Sequence, residues 1–339
     1  MSSVLRPRLS VVAIGALAIF TLALPLNFTD SQRTIYILIG LATMVTTGLT
    51  LLMGYAGQAS LGQAAFYAIG AYAAGLLTTR AGWPPMAALA AAPVAAAAVA
   101  ALIGIPLLRL RGHYLAFATL AFHLIVLAFL SEAKTLTRGD IGFGGIPDLV
   151  PAVPGFTRTF EYSYVVWLAV SAVLLLSWNL VDSRPGRALR ALASSEIGAA
   201  AAGVEVGSYK LKVFALSAGY AGLAGGIYAF FISFVSPGSF PILLSIQFLV
   251  MAAVGGLGVV GGALVGATGI TLLVQVLRDL GTRPGMAVTA PSIFSYGVYA
   301  LVLVGVMLFL PGGVYPAIRD RLPLLRHDGL PAIAQRRRE

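Results

Sequence analysis

Ten residues, Gly54-Tyr55-Ala56-Gly57-Gln58-Ala59-Ser60-Leu61-Gly62-Gln63, set glycines and hydrogen-bonding side chains into an otherwise apolar run. Gln58, Ser60 and Gln63 can exchange hydrogen bonds with a polar solute, and the glycines beside them interrupt a helix. At membrane depth an interrupted helix is tolerated only where it lines a cavity or packs in protein. In transporters such breaks mark the substrate route. A short connecting loop between two helices is the other reading of the same residues. A second group, Gly255-Gly256-Leu257-Gly258, lacks the Lys and Ser/Thr of a phosphate loop and follows an apolar helix rather than a strand. Close helix approach accounts for these glycines better than nucleotide binding does. Gly54, Gln58, Ser60, Gln63, Gly255 and Gly256 are the candidate pathway residues.

A third segment could transmit force rather than touch a solute. Arg187 to Ala202 is rich in Ala and Leu, strong helix formers, and the pattern predicts one helix of about four turns. Pro185-Gly186 is expected to break the chain before it, and Gly203 stands where a C-terminal glycine cap belongs. Arg187, Arg190 and Glu196 keep the segment out of hydrocarbon. Arg187, Arg190 and Ser194 fall on one face, a surface on which a partner could push.

No catalytic constellation is present, and no cofactor or metal site is expected. The chain has no cysteine, which excludes disulfides, thiolate nucleophiles and Cys-based metal sites. Its three histidines are scattered. Of these only His123 falls within a predicted span, where a neutral ring hydrogen-bonded in the bundle accounts for it better than a proton relay. Proton- or voltage-driven proteins carry acids or bases inside the bundle. Their absence here implies that energy for uphill transport would enter elsewhere, for instance through ATP hydrolysis on a partner.

The elements that must position these residues follow from composition. Of 339 residues 59% are hydrophobic and only 10% charged, against roughly 25% charged in a soluble domain. No charged residue occurs in Thr34 to Thr79, Ala81 to Leu108, Gly112 to Ser131, Tyr162 to Val181, Val213 to Leu277 or Pro284 to Ile318. A span takes about 20 apolar residues. The chain therefore reads as an all-α polytopic transmembrane helical bundle with about ten spans, a broken helix and a cytoplasmic coupling helix. The spans fall at 10–26, 34–53, 63–79, 86–108, 114–131, 161–181, 211–234, 243–258, 261–278 and 292–311. A β-barrel is excluded because no sustained period-2 alternation appears. Arg6 and Arg8 before the first apolar run fit a signal peptide, but the many later spans favour an uncleaved first helix. Gly219-Tyr220-Ala221-Gly222 echoes Gly54 to Gly57, a hint of internal duplication.

Net charge is +10, which positive-inside topology explains without nucleic acid. With the N-terminus in the cytoplasm, fifteen of the 22 basic residues fall inside and seven outside. Both termini and the loop 182–212 are then cytoplasmic, and the Gly- and Pro-rich loop 132–161 is external. Residues 1–318 form the permease domain, with the coupling loop inside it. Residues 319–339 form a basic tail, ending in Arg336-Arg337-Arg338, suited to anionic membrane lipid.

Several stretches together resemble the LivM-type permease of bacterial branched-chain amino-acid ABC transporters. They are Gly54 to Tyr72, Leu108 to Phe122, Thr137 to Pro147, Gly186 to Ala191, Gly222 to Tyr228, Ser236 to Phe240 and Gly255 to Gly258, within residues 35 to 312. The resemblance implies a bacterial inner-membrane subunit without enzymatic activity of its own. It implies a second, LivH-like permease as partner, two cytoplasmic ATPase subunits and a periplasmic substrate-binding protein. It also implies that Gly186 to Gly203 is the ATPase-coupling loop, related to the EAA loop of other importers. Gly186, Arg187, Arg190, Glu196, Ala199, Ala200 and Gly203 are then the coupling residues. Here the loop departs from the EAA pattern, since Ile197-Gly198 separates Glu196 from Ala199-Ala200.

Branched-chain or other hydrophobic amino acids are the implied cargo; urea, a sugar or a small organic acid is the alternative. An ion-coupled carrier is disfavoured by the absent buried acids, and a non-transporting membrane protein by the coupling segment and the break. The topology has a direct test, because the native chain offers no thiol. A single cysteine introduced at Ser194 should react with impermeant maleimide only after the cytoplasmic face is opened, and labelling of intact cells would invert the arrangement.

Overall fold

The computed structural model describes residues 24–110, 112–150 and 155–281, with five isolated positions beyond them. The expected spans 10–26 (almost wholly) and 292–311, and the tail 319–339, lie outside the described residues. In chain order the helices are α1 (Asp30–Thr50), α2 (Gln63–Thr79), α3 (Pro85–Leu107), α4 (His113–Glu132) and the short α5 (Lys134–Thr137). There follow α6 (Arg158–Asp182), α7 (Arg184–Ser194), α8 (Glu196–Ala201), α9 (Val206–Ile232), α10 (Ile242–Gly255) and α11 (Val260–Gly281).

Seven helices among the described residues are long and apolar enough to cross a membrane. They correspond to seven of the eight expected spans that fall there. The eighth, α2, has 17 residues, the lower end of what a span requires. The expected total of about ten is therefore not reached within the described residues. α1, α6 and α9 begin at Asp30, Arg158 and Val206, a few residues ahead of the apolar runs. Charged and polar residues can occupy a first turn where the runs have not yet begun. At α1 the Thr29 N–H donates to Gln32 Oε1 at 3.0 Å, one half of a capping box.

The bundle is held together by small residues. Ala88, Ala92, Ala96 and Ala100 recur every fourth residue on α3 and are fully buried, forming one ridge. A Cβ added to Gly222 of α9 would stand 2.5 Å from Ala96 Cβ, and one on Gly226 would stand 2.9 Å from Ala92 Cβ. Toward α2, a Cβ on Gly225 would lie 1.9 Å from the Tyr67 carbonyl oxygen. Helices α2, α3 and α9 thus meet backbone to backbone. Lipid tails are as apolar as leucine, so close packing rather than hydrophobic sorting holds spans together. Gly219 and Gly222 lie within the uninterrupted α9, whereas Gly54 lies in a widened π turn, Leu51–Tyr55, that ends α1. The echo between the two sequences reflects a shared need for small residues and not a shared geometry.

The expected loop 132–161 is a folded cap where the structure describes it. β1 (Phe143–Gly144) pairs antiparallel with β2 (Phe234–Val235), Phe143 opposite Val235 and Gly144 opposite Phe234. The Phe143 ring meets Tyr72 edge-on at 5.7 Å between centroids. Arg158 Nη2 donates to the Phe230 carbonyl and to Ser233 Oγ, both at 2.6 Å, and pairs with Asp148 at 2.8 Å. The Tyr162 hydroxyl donates to the Phe230 carbonyl at 3.1 Å and accepts from Leu149 N–H at 3.1 Å. The two halves of the chain are thereby tied at this end. Large apolar side chains cover the outward faces of α3 (Val94, Leu102, Ile105), α4 (Phe117, Ile125, Phe129) and α6 (Leu168, Leu176).

Because α2 and α9 touch through backbone at Gly225, Gly225→Ala should lower stability by about 1–3 kcal/mol, the usual cost of overpacking. Thermal denaturation of the detergent-purified protein measures it. Leu102→Ala, on the outward face, should leave the midpoint in place.

Candidate translocation path and coupling surface

The chain turns back on itself between α1 and α2. After the π turn, Gly57 adopts φ +65°, a left-handed conformation that favours glycine. A Cβ on Gly57 would stand 3.9 Å from the Cα of Ala193 in α7, and Tyr55 lies within electrostatic reach of Arg190 of the same helix. By Gln63 the chain has risen to the middle of the bundle, where Gln63 Nε2 donates to Ser217 Oγ at 3.0 Å. Ser217 is close to the midpoint of α9. Residues 56–62 thus run from the α7 end into the interior, and α2 carries on to the opposite end.

A helix that starts inside the protein must find partners there for its first N–H groups. Leu61 N–H donates to Thr119 Oγ1 of α4 at 2.9 Å, Gly62 N–H to Ser60 Oγ at 3.3 Å, and Ala64 N–H to Ser245 Oγ of α10 at 3.0 Å. His123 supports Ser245 from behind. Its Nε2 lies 3.1 Å from the Phe240 carbonyl, and its Nδ1 lies 3.2 Å from Ser245 Oγ. A carbonyl only accepts, so Nε2 carries the proton. The neutral ring then accepts at Nδ1 from the Ser245 hydroxyl. For a neutral ring the tautomer follows from the network, and His123 is hydrogen-bonded within the bundle.

Among the expected pathway residues, Gln58, Ser60 and Gln63 are 3%, 1% and 1% exposed. Both side-chain amide atoms of Gln58 and the Oε1 of Gln63 have no hydrogen-bond partner, nor has Thr50 Oγ1. Groups of this kind cost about 1–3 kcal/mol each when nothing meets them, and these four atoms lie together at the break, where water or a solute could pair with them. The glycines converge on it. A Cβ on Gly54 would lie 2.1 Å from the backbone nitrogen of Gly258, so the π turn rests directly on the α10–α11 connection. Gly256 (φ +111°) and Gly258 (φ +89°) make that turn. Gly255 instead packs against α11, its added Cβ 2.0 Å from the Gly262 carbonyl oxygen. Thr119, Ser217 and Ser245 belong to the same site but lie inside long apolar runs, where single hydroxyl groups give no spacing to read.

The coupling segment differs from expectation in three respects. It is two helices, not one, because Ser195 is extended (φ −160°, ψ 116°) and caps α8 by accepting from Gly198 N–H at 3.0 Å. Pro185-Gly186 do not precede the helix but sit in the first turn of α7, capped by Ser183, where proline is compatible because the first N–H groups are unpaired anyway. Gly186 lets α7 fold close on α6: its added Cβ would be 2.2 Å from the Val181 carbonyl oxygen. Third, the expected coupling residues do not all share one face. Ala199 is buried, and Glu196 pairs inward with Lys210 of α9, so neither lies on the outward face. Arg187, Ile197 and Ala200 are exposed and Arg190 is half-buried. Gly203 (φ +80°) ends α8 as expected. Gly203 N–H donates to the Ala200 carbonyl and Val204 N–H to that of Ala199, both at 3.0 Å, the pattern of a Schellman motif.

Ser245→Ala would leave both the Ala64 N–H and His123 Nδ1 unpaired in the interior. It should cost about 1–3 kcal/mol, measured by thermal denaturation, while Ser194→Ala on the exposed end of α7 should be silent.

Comparison with known proteins matches residues 32–310 to the family described as branched-chain amino acid transport system / permease component. The chain is 31% identical over 355 residues to the high-affinity branched-chain amino acid transport system permease protein LivM of Escherichia coli (strain K12), covering 95% of this chain and 78% of that protein. It is 32% identical over 320 residues to LivM of Salmonella typhimurium, covering 86% and 70%. The probable branched-chain amino acid transport permease protein LivM of Methanocaldococcus jannaschii is 23% identical over 223 residues, 64% of each chain.

Proposed function

The chain belongs to the family of branched-chain amino acid transport permeases, and from that premise we propose that it is the membrane subunit of an ATP-driven importer of branched-chain or other hydrophobic amino acids. The observation that carries this reading is the family match across residues 32–310. The uncharged spans support it, since they leave a proton- or ion-driven mechanism without its usual groups. Hydrolysis would then occur on two separate cytoplasmic ATPase subunits. A second, LivH-like permease would complete the membrane part, and a periplasmic binding protein would deliver the solute. Both termini and residues 182–212 face the cytoplasm in this reading.

The path runs along the break between α1 and α2. Gln58, Ser60 and Gln63 border it, and Gly54, with Gly255 and Gly256, allows the surrounding helices to close on it. An amino acid crossing there meets neutral amides and hydroxyls. These can exchange hydrogen bonds with its ammonium and carboxylate groups without holding it by charge, and a solute that must leave again is best held weakly. The α7–α8 segment takes the ATPase on the face that carries Arg187, Ile197 and Ala200. Arg190 beside Tyr55, and Ala193 beside Gly57, relate that surface to the break.

The test is reconstitution with the second permease and the ATPase subunits. Binding protein loaded with leucine, isoleucine or valine should stimulate hydrolysis and drive uptake; no stimulation by any of the three would remove the assignment. Gln58→Leu, Ser60→Leu and Gln63→Leu should each lower uptake about two- to tenfold, the worth of one hydrogen bond, without preventing assembly. If all three variants transport normally, the break is a connector only.

A further inference from the structure

We infer that the Glu196–Lys210 ion pair is the strut that joins α8 to span α9, through which a push on α8 reaches the bundle. The inference rests on the reading of the α7–α8 segment as the ATPase-facing surface. Lys210 lies in the first turns of α9, and its side chain is only 9% exposed. Lysine is almost never so buried unless paired. Its partner, Glu196, opens α8, with a side chain 38% exposed. A glutamate in a first turn can be stabilised by the helix's own N–H groups, yet this carboxylate reaches across to α9 instead.

The remaining attachments divide the segment into two bodies. α7 continues from α6 through the Ser183 turn, where Arg187 N–H donates to the Ser183 carbonyl at 3.2 Å, and lies near Gly57, just past the π turn. α8 is closed at its start by Ser195 and at its end by the Gly203 turn. It turns Ala199 and Glu196 inward, and it presents Ala200 and Ile197 outward, the latter 84% exposed. The extended Ser195 is the joint between the two. A six-residue helix is too short to hold itself in place. The charged contact from α8 to α9 adds a side-chain link to the short connection 202–205 and to the packing of Ala199. Being partly buried, the pair is more than an exposed salt bridge, and loss of one member leaves the other charge without a partner.

The experiment uses the complete reconstituted transporter with Glu196→Gln, Lys210→Met, and the reversal Glu196→Lys combined with Lys210→Glu. Each single variant should keep the ATPase in co-purification yet lose about fivefold or more in solute moved per ATP hydrolysed, a ratio that a purely structural fault would not move. The reversal should restore it. Wild-type ratios in both single variants, or a reversal that rescues nothing, would overturn the strut. Ala200→Trp, on the outward face, separates this from the underlying reading. It should release the ATPase, and if association survives unchanged, the docking assignment fails and the strut with it.

Discussion

Backbone amides cannot be left bare in hydrocarbon, and much of this fold follows from how one interruption meets that demand. α1 runs through to the α7 end but α2 starts inside the bundle, so the first helix-end groups of α2 need partners where no bulk water reaches. Thr119 and Ser60 supply acceptors for the N–H groups of Leu61 and Gly62 leading into α2, and Ser245 accepts from Ala64 in its first turn. His123, anchored on the Phe240 carbonyl, orients the last of these. Four segments of the chain are drawn to one point by this requirement. With the backbone satisfied, both amide atoms of Gln58 and the Oε1 of Gln63 are left without a protein partner, while Gln63 Nε2 is held by Ser217.

Close approach is the second condition. The alanine ridge of α3 and the glycines of α9 and α2 let three helices touch through main chain. The glycines at 54 and 258 extend the same device to the break, resting the π turn on the α10–α11 connection. A larger residue at these crossings would push apart the elements that enclose Gln58 and Gln63. The packing of the bundle and that of the break are thus set by the same kind of small residue.

Most of the helices were legible in the sequence because hydrocarbon imposes a minimum length and excludes charge. The runs bounded by Arg80, Arg109 and Asp182 read directly as spans. The break was legible as a choice between loop and interrupted helix, since glycine and glutamine interrupt an apolar run in either case; its burial emerges only from the other helices around it. Thr119, Ser217 and Ser245 were not legible. One hydroxyl in a long apolar run has no period, and its value depends on what faces it. The coupling segment was misread as one helix because Ala and Leu propensity hides a single capping serine. Glu196 and Ala199 could not be assigned a direction until that break fixed the faces of α8.

The two ends of the described bundle are built differently. At one, Arg158 clasps the Phe230 carbonyl, Ser233 and Asp148, and the short β1–β2 pairing fastens the cap to the end of α9. At the other, α7 and α8 meet at an extended serine, and Gly57 and Gly258 hold turns in the left-handed region. Were helices fastened in this way to part, the tied end would act as the pivot and the gap would be widest at the other.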